Sequence, residues 1–369
     1  MPVILLPSAP ASVAELIRLA ERALGGDGVV LTTSGSTGQP KRVSLSAAAL
    51  RASAEATAQR VGGPGQWLLT LPPDHVAGWQ VVVRSALAGT VPTRLEGTFT
   101  PGRFVSAAAR MAHGPRFVSL VPTQVVRLVE DPAALEALST FDAVLVGGAA
   151  LPAPVLSRAT AAGVRIHRTY GMTETAGGCV YDGTPLTGVS VRLDAGQVLL
   201  GGPVVADGYV GDDGLTGQRF SADDDGRRWF RTDDLGELDG QGRLRLLGRV
   251  DDVINTGGFK VAPRPVEEAL LQLPGVREVV VLGVDDPEWG QRVAAVLVPR
   301  TDPEHGAGLT VDQVRDALRG ALPAYALPRQ VLWLDRLPLL PSGKPDRVLL
   351  RDRCAVSSGT MGPYRTSAD

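Results

Sequence analysis

The first 250 residues alternate short apolar runs with longer segments of helical character, and this alternation constrains the fold more than any other feature of the sequence. The runs "GVVLTT", "QWLLTL", "RFVSLV" and "FDAVLV" are typical of strands, and the last two are apolar enough for burial on both faces. The segments "LSAAALRASAEATAQRV" and "HVAGWQVVVRSALAG" are typical of helices. Strands that alternate with helices in this way predict an α/β domain.

The pattern changes twice toward the C-terminus. Between about residues 189 and 247, short strands separated by Gly and Asp turns predict a small β subdomain. After "LGRVDD" the helical segments "PRPVEEALLQLPG" and "TVDQVRDALRGAL" alternate with apolar strands, which is typical of a compact α+β domain. We therefore expect an N-terminal α/β domain over residues 1–248, a small mobile C-terminal domain over residues 249–355, and a disordered tail over residues 356–369.

Composition argues against several classes of function. The formal net charge is −2 and no basic stripe is present, so a nucleic-acid partner is not expected. No apolar run is long enough to span a bilayer, and the N-terminal "MPVILLPSAP" lacks the basic region of a signal peptide. The 4 histidines and 2 cysteines are scattered, which argues against a zinc site. We expect a cytoplasmic protein without a membrane span.

Lysine is scarce in this chain. Lys and Arg together number 37, but the only lysines are Lys41, Lys260 and Lys344. A sequence that uses arginine wherever either residue serves would keep lysine where a compact ammonium on a flexible stem is needed. The lysines are therefore candidate functional residues, and the sequence segments around them indicate what that function is.

Four segments contain residues suited to nucleotide chemistry. "TTSGSTGQPK" offers hydroxyls, backbone N–H groups and Lys41 to a polyphosphate, although its spacing is not that of the G-x-x-x-x-G-K-[ST] loop. In "TYGMTET", Glu174 is a candidate magnesium ligand. In "RTDDLG", Asp234 is able to accept from two ribose hydroxyls, and "GRVDDVINTGGFKV" contains a Gly-Gly hinge beside Lys260. Each segment alone is equally compatible with an ordinary turn.

Taken together with "PSGKPDR", these segments occur in an order that resembles the acyl-adenylate-forming ligases, which include acyl-CoA synthetases, luciferases and peptide-synthetase adenylation domains. The resemblance covers residues 28–350 and takes in all three lysines. It implies that the chain activates a carboxylic acid with ATP and magnesium, and then transfers the acyl group to a thiol such as CoA.

The resemblance also implies a nucleotide site. The loop around the phosphates corresponds to Ser34, Gly35, Ser36, Thr37, Gly38 and Lys41. The residues around the adenine correspond to Gly147, Gly148, Ala149, Tyr170, Gly171 and Met172. The pair that holds the ribose corresponds to Asp234 and Arg249. Tyr170 would stack on the base.

The catalytic residues that the resemblance implies are Lys344, Thr173, Glu174 and His75. Thr173 would contact phosphate and Glu174 would bind magnesium. Lys344 would bridge the attacking carboxylate and the α-phosphate, where a mobile ammonium fits better than a rigid guanidinium. Asp251 would be the hinge about which the C-terminal domain turns between the two half-reactions.

The acid pocket is less constrained. The implied substrate-binding residues are His75, Arg84, Thr123, Gly177 and Gly178. Arg84 lies in an apolar helical segment, and a buried guanidinium is costly unless it is paired. Its partner is a second carboxylate on the substrate, a group of the protein itself, or water reached by extension of the side chain, and the sequence leaves these alternatives open.

Within the family, the short chain, the "HVAG" segment followed by an arginine, and "TYGMTETAGG" resemble the 2-succinylbenzoate–CoA ligases of menaquinone synthesis. Their substrate is an aromatic dicarboxylate, which suits Arg84. Two alternatives remain: another acyl- or aryl-CoA ligase or carrier-loading enzyme, and a non-catalytic nucleotide-binding relative. A homodimer is left open, and Lys260 and Cys179 receive no role. The chain departs from the family at Asp233 and Arg42, which both replace glycine, and in having only about thirty residues before the phosphate loop.

Overall fold

This computed structural model describes residues 4–5, 12–33, 40–300, 309–339 and 345–356. The chain divides into two units: a first unit of residues 1–232 and 238–244, and a second unit of residues 233–237 and 245–369. The predicted boundary at residue 248 falls inside the second unit, and the assignment of domains with that boundary stays a prediction. The tail from residue 357 onward lies outside the described residues.

The helices up to Arg219 are α1 (Val13–Arg22), α2 (Ala47–Val61), α3 (Val76–Leu87), α4 (Pro101–Ala109), α5 (Pro122–Glu130), α6 (Pro132–Ser139), α7 (Ala153–Ala161) and α8 (Asp213–Arg219). The strands up to Arg249 are β1 (Ile4–Leu5), β2 (Val29–Thr33), β3 (Lys41–Leu45), β4 (Gln66–Leu69), β5 (Thr93–Arg94), β6 (Arg116–Leu120), β7 (Ala143–Val146), β8 (Ile166–Met172), β9 (Gly177–Tyr181), β10 (Thr184–Pro185), β11 (Ser190–Asp194), β12 (Gln197–Gly201), β13 (Gly208–Tyr209), β14 (Phe220–Ala222), β15 (Arg228–Leu238) and β16 (Leu244–Arg249).

The central element of the first unit is a sheet of seven strands in the order β10-β9-β8-β7-β6-β4-β5. Strands β5, β4, β6, β7 and β8 are parallel, whereas β9 and β10 continue the sheet in antiparallel pairing. Strand β7 is buried along its whole length because helices cover the parallel strands. Phe104, Phe117 and Phe141 are among the largest fully buried side chains. The predicted α/β arrangement is therefore confirmed.

Helix α2 begins and ends where its sequence indicates. The Ser46 hydroxyl accepts from the backbone N–H of Ala49 at 3.2 Å and so caps the N-terminus. Gly62 closes the helix in the left-handed conformation at φ 93°, which a residue with a side chain adopts only with strain. The buried face of α2 includes Thr57, which becomes important at the functional site.

Two smaller sheets complete the strands up to Arg249. Strands β1-β2-β3-β13 form one sheet, in which β3 directly follows the glycine-rich segment. Strands β11-β12-β15-β14, with β16 paired to β15, form the other and correspond to the predicted β subdomain. Strand β3 was not predicted from the sequence, and only Val43 and Leu45 of its residues Lys41–Leu45 are buried.

The second unit has its own core. Its further elements are β17 (Ile254–Thr256), β18 (Phe259–Val261), α9 (Pro263–Leu270), β19 (Val276–Asp286), β20 (Gly290–Pro299), α10 (Val311–Leu318), β21 (Gln330–Trp333) and α11 (Arg347–Val356). The sheet order is β18-β17-β20-β19, with β21 parallel to β20. Alternate residues of β19 and β20 enter two apolar clusters, one with α9 and α10 and the other with α11, so both faces of this sheet are covered.

The α+β character expected of the C-terminal region is confirmed, with α11 as an element that the sequence pattern did not indicate. Among the residues that the structure describes, no helix is both long and apolar enough to cross a membrane.

Candidate active site

A cavity of about 140 Å³ opens in the first unit beyond the carboxyl ends of β6, β7 and β8. In open α/β sheets this is the edge at which ligands bind. The residues around it come from these strand ends, from α3 and from β9: Leu71, Val76, Ala77, Gln80, Arg84, Ser119, Leu120, Val121, Leu145, Gly147, Gly148, Thr169, Gly171, Gly177, Gly178 and Tyr181. The wall is mostly apolar, with a few polar side chains among these residues.

Glycine is required at two positions beside the cavity. A Cβ atom at Gly147 would lie 2.4 Å from the Thr169 hydroxyl oxygen. Gly171 has φ 156°, and a Cβ atom there would lie 2.1 Å from the carbonyl oxygen of Gly177. The strands beside the cavity pack so closely that neither position accommodates a side chain without movement of its neighbours.

Arg84 reaches the cavity wall from α3 and is buried. Its Nη2 atom donates to the Thr57 hydroxyl at 3.2 Å, and its guanidinium carbon lies 5.0 Å from the centre of the Trp67 ring. Its Nε atom is buried and has no hydrogen-bond partner, and no carboxylate of the described residues pairs with it. Burial lowers the pKa of the guanidinium, although an arginine keeps its proton at neutral pH. The protein therefore places a cation at the cavity without a counter-charge.

Gln80 precedes Arg84 by one helical turn and lines the same cavity. Its Nε2 atom donates to the carbonyl oxygen of Ala176 at 2.8 Å, which fixes the orientation of the amide. Its Oε1 atom is buried without a partner. Unpaired buried polar atoms are uncommon in folded proteins, and two of those found among the described residues belong to Gln80 and Arg84, which both line this cavity.

Tyr181 supports this wall from β9. Its hydroxyl lies 3.1 Å from the Thr57 hydroxyl, so Thr57 contacts both Tyr181 and Arg84. Burial raises the pKa of the Tyr181 phenol, which therefore stays protonated at neutral pH. Thr57 and Tyr181 hold Arg84 in place, and neither adds a charge to offset it.

Glu174 lies in a single 3₁₀ turn, Thr173–Thr175, directly after β8. The turn is buried around Glu174, whose Oε1 atom accepts from the Tyr209 hydroxyl at 2.9 Å. The Lys41 ammonium lies 5.6 Å from the centre of the same Tyr209 ring. Tyr209 thus brings together the predicted magnesium ligand and the predicted phosphate-binding lysine.

The Glu174 carboxylate fits a magnesium ion. Its Oε1 atom is oriented by Tyr209, while no described residue donates to its Oε2 atom. Hard cations prefer carboxylate oxygens, and magnesium is typically held by one or two of them together with substrate phosphates. A ligand carboxylate whose second oxygen is fixed by a hydrogen bond is the usual arrangement around a metal.

The predicted ribose pair lies in the second unit. Arg249, the last residue of β16, lies 3.3 Å from an oxygen of Asp233 and 4.0 Å from an oxygen of Asp234. It also lies 3.4 Å from Asp251, the predicted hinge. Arg249 is therefore surrounded by three aspartates, one of which, Asp233, replaces the glycine of the family.

The structure distributes the remaining predicted residues in three groups. Gly147, Gly148, Gly171, Gly177 and Gly178 line the cavity together with Arg84. Ala149, Tyr170, Met172, Thr173, His75 and Thr123 lie close to it along the chain but not among the residues that line it, and His75 and Thr123 are exposed. Ser34, Gly35, Ser36, Thr37, Gly38 and Lys344 lie outside the described residues. The roles assigned to all of these residues stay predictions.

Sequence reasoning missed Tyr209, Thr57, Tyr181 and Gln80. Only Gln80 carried a signal, since a polar residue four positions before Arg84 on an apolar helix lies on the same face. The other contacts join residues far apart in the chain, and single hydroxyls in these segments carry no pattern.

Comparisons with known proteins agree with this geometry. Residues 28–213 match the model of the AMP-binding enzyme family, and residues 265–344 match that of the AMP-binding enzyme C-terminal domain. A probable 2-succinylbenzoate–CoA ligase of Mycobacterium tuberculosis is 43% identical over 358 residues, which are 95% of this chain and 90% of that protein.

Solved structures are similar over most of the chain. The o-succinylbenzoate CoA synthetase of Bacillus subtilis in complex with its acyl-adenylate intermediate has a TM-score of 0.73 and 28% identity, over 88% of this chain and 69% of that one. The same enzyme in complex with ATP and a magnesium ion has a TM-score of 0.72 and 27% identity, over the same shares of the two chains. The chain belongs to the AMP-binding enzyme family, the acyl-adenylate-forming ligases.

Proposed function

We propose that this chain is a 2-succinylbenzoate–CoA ligase, which converts 2-succinylbenzoate, ATP and CoA to 2-succinylbenzoyl-CoA, AMP and pyrophosphate in menaquinone synthesis. The observation that carries the choice of substrate is Arg84, a buried cation at the cavity wall with an unpaired Nε atom. The relatives that bear this activity in their names support the same assignment.

An aromatic dicarboxylate suits the cavity for two reasons. Its ring matches the mostly apolar wall, to which Gly177 and Gly178 contribute backbone without side chains. Its second carboxylate offers Arg84 the counter-charge that no described residue supplies. A buried guanidinium without a counter-charge is destabilising, so substrate binding would recover part of that free energy. A monocarboxylic acid would leave Arg84 without a counter-charge and would bind more weakly.

In the first half-reaction, a carboxylate oxygen of the acid attacks the α-phosphorus of ATP, and the bond from this phosphorus to pyrophosphate breaks. Lys344 would contact both reacting groups, while Thr173 and Lys41 would contact phosphate. Glu174 would hold the magnesium ion, which neutralises charge on the phosphates, with Tyr209 fixing the carboxylate.

The nucleotide itself would be held by the remaining predicted residues. Tyr170 would stack on the adenine, and Asp234 and Arg249 would bind the ribose. Holding the phosphate and the acid in one orientation removes much of the entropic barrier to their reaction.

In the second half-reaction, the CoA thiolate attacks the acyl carbonyl and the bond to AMP breaks. The second unit, which carries Lys344, would turn about Asp251 so that the thiol reaches the acyl-adenylate. A homodimer and a location in the cytoplasm complete the proposal.

The experiment is pyrophosphate release with ATP, magnesium and CoA across 2-succinylbenzoate, benzoate and octanoate, with the mass of each product measured alongside. Strong turnover of 2-succinylbenzoate to its CoA thioester supports the proposal. Stronger turnover of another acid would keep the class of ligase and assign Arg84 to a structural role. Binding of ATP without turnover of any acid would favour the non-catalytic relative.

A further inference from the structure

Arg347 is the first residue of α11 and follows Lys344 by three positions. Its guanidinium contacts three separate parts of the second unit. Nη1 donates to the carbonyl oxygen of Val281 at 2.9 Å, Nη2 donates to a carboxylate oxygen of Glu267 at 3.3 Å, and Nε lies 3.7 Å from a carboxylate oxygen of Asp252. One side chain therefore ties the start of α11 to β19, to α9 and to the turn beside the predicted hinge.

Glu267 is built into this arrangement. The carboxylate oxygen that pairs with Arg347 also accepts from the backbone N–H of Val281 at 2.9 Å. Arg347 thus donates to the C=O of Val281, and Glu267 accepts from the N–H of the same residue. Burial raises the pKa of Glu267, while the N–H of Val281 and the charge of Arg347 act in the opposite direction. A carboxylate in such a place depends on its cation, since an uncompensated buried charge is strongly destabilising.

The backbone on both sides of residues 340–344 is also fixed. Leu339 and Pro345 form an antiparallel bridge, and the N–H of Asp346 donates to the carbonyl oxygen of Pro338 at 2.9 Å. The Asp346 carboxylate then accepts from the N–H of Leu349 at 3.1 Å, which caps α11. Residues 340–344, which include Lys344, are therefore flanked on both sides by paired residues, and Arg347 anchors the helix that follows them.

From these contacts we infer that Arg347, through Glu267 and Asp252, is a positioning residue for Lys344 in the adenylation half-reaction. The inference rests on the proposed function, in which Lys344 contacts the reacting carboxylate and phosphate. A catalytic group must be held within a fraction of an ångström, and a displacement of 1 Å can cost about 100-fold in rate. Loss of these Arg347 contacts would shift the start of α11 and with it Lys344, although Arg347 itself does not contact substrate.

Arg351 provides a matched control. It lies one turn further along α11, and its Nε atom donates to the carbonyl oxygen of Gly283 at 3.1 Å, again on β19. No carboxylate of the described residues pairs with it. Arg351→Met therefore removes an arginine of the same helix that contacts the same strand, without disturbing the Glu267 and Asp252 contacts.

The experiment measures the two half-reactions separately in Arg347→Met, Glu267→Gln, Arg351→Met and Lys344→Ala, with thermal unfolding of each variant. Pyrophosphate release reports adenylation, and consumption of preformed acyl-adenylate by CoA reports thioester formation. We expect Arg347→Met to lower kcat for adenylation about 10- to 100-fold, with KM for ATP and acid changed less than about twofold and thioester formation unchanged. Glu267→Gln keeps an acceptor for Val281 and should lower adenylation less, whereas Arg351→Met should leave both rates unchanged.

Three outcomes overturn the inference. If Arg347→Met and Arg351→Met behave alike while Lys344→Ala loses adenylation, Lys344 keeps its role and Arg347 has none in positioning it. If Arg347→Met lowers both half-reactions together with the unfolding temperature, and Glu267→Gln does the same, the cluster is only structural. If Lys344→Ala retains adenylation, the proposed mechanism fails and the inference fails with it.

Discussion

Arg84 donates to the Thr57 hydroxyl at 3.2 Å across the gap between α3 and α2, and this neutral partner leaves the charge of Arg84 uncompensated at the cavity. If the guanidinium served only the fold, a carboxylate partner or an apolar residue in its place would make the folded state more stable. The pairing with Thr57 instead orients the guanidinium and preserves its charge for a ligand.

Replacement of Arg84 by Met should raise KM for 2-succinylbenzoate about 10- to 100-fold, since a hydrogen bond to a charged group contributes about 1.5–3 kcal/mol. KM for ATP should change less than about twofold, and turnover of benzoate should not fall. The unfolding temperature should stay the same or rise, because a buried unpaired charge is removed. Steady-state kinetics with each substrate and thermal unfolding measure these quantities.

The control for Arg84 is Arg60→Met. Arg60 lies on α2 and donates to the carbonyl oxygen of Tyr181 at 3.0 Å, but it does not line the cavity. Its loss should leave KM for the dicarboxylate unchanged. Equal effects on the dicarboxylate and on ATP in Arg84→Met would assign Arg84 to the fold.

Replacement of Tyr209 by Phe should raise the magnesium concentration for half-maximal adenylation about 10-fold, because groups that orient a metal ligand typically contribute 10- to 100-fold to metal affinity. The substitution removes the 2.9 Å hydrogen bond to Glu174 and keeps the ring beside Lys41. Magnesium titration of pyrophosphate release is the measurement. Tyr325→Phe, at an exposed tyrosine of the second unit, is the control, and an unchanged magnesium requirement in Tyr209→Phe would contradict the assignment of Glu174.

Replacement of Asp234 by Asn should raise KM for ATP about 10-fold or more, because a carboxylate that accepts from two ribose hydroxyls makes charge-assisted hydrogen bonds. Asp233→Asn is a neighbouring control that also removes a carboxylate next to Arg249. It should raise KM for ATP less than about threefold. The prediction is wrong if the two variants have the same KM for ATP, since the effect would then come from Arg249 and not from the ribose.

Both cysteine thiols should be unreactive in the folded protein at pH 8. Burial raises the pKa of Cys179 to about 12 and that of Cys354 to about 11. The thiolate fractions at pH 8 would then be about 10⁻⁴ and 10⁻³, far below those of an exposed thiol with pKa near 8.5. Thiol labelling with and without denaturant measures this. Rapid labelling of either residue in the folded state would contradict it.

The same thiols give a pH dependence of stability with a definite sign. Their pKa values are higher in the folded than in the unfolded protein, so above about pH 8.5 the unfolded state releases protons that the folded state retains. The free energy of unfolding should therefore be unaffected by the thiols below that pH. Above it, their contribution should fall by about 1.4 kcal/mol per pH unit for each thiol until the folded pKa is reached. Denaturant unfolding of Cys179→Ala, compared with the original chain between pH 7 and pH 10, isolates the contribution of Cys179.

The sequence predicted most elements because their signal is local. The strands β4, β6 and β7 are continuous apolar runs, and α2 carries its own cap at Ser46 and its own stop at Gly62. Strand β3 was missed because three of its five residues are polar and only Val43 and Leu45 are buried, and it becomes a strand only by pairing with β2 and β13. Helix α11 was missed because its buried residues, Leu350 and Cys354, are too few to make an apolar stripe.

The sequence by itself determined the class of chemistry, because five short segments occur in a fixed order and each carries its own residues, such as Glu174 in one and Lys344 in another. Only the tertiary structure decided how those residues are held. Thr57 meets Arg84 from 27 positions away, Tyr209 meets Glu174 from 35, and Arg347 meets Glu267 from 80. Contacts of this kind leave no periodicity in the chain, because each depends on how whole strands and helices pack and not on the spacing of the residues along the sequence.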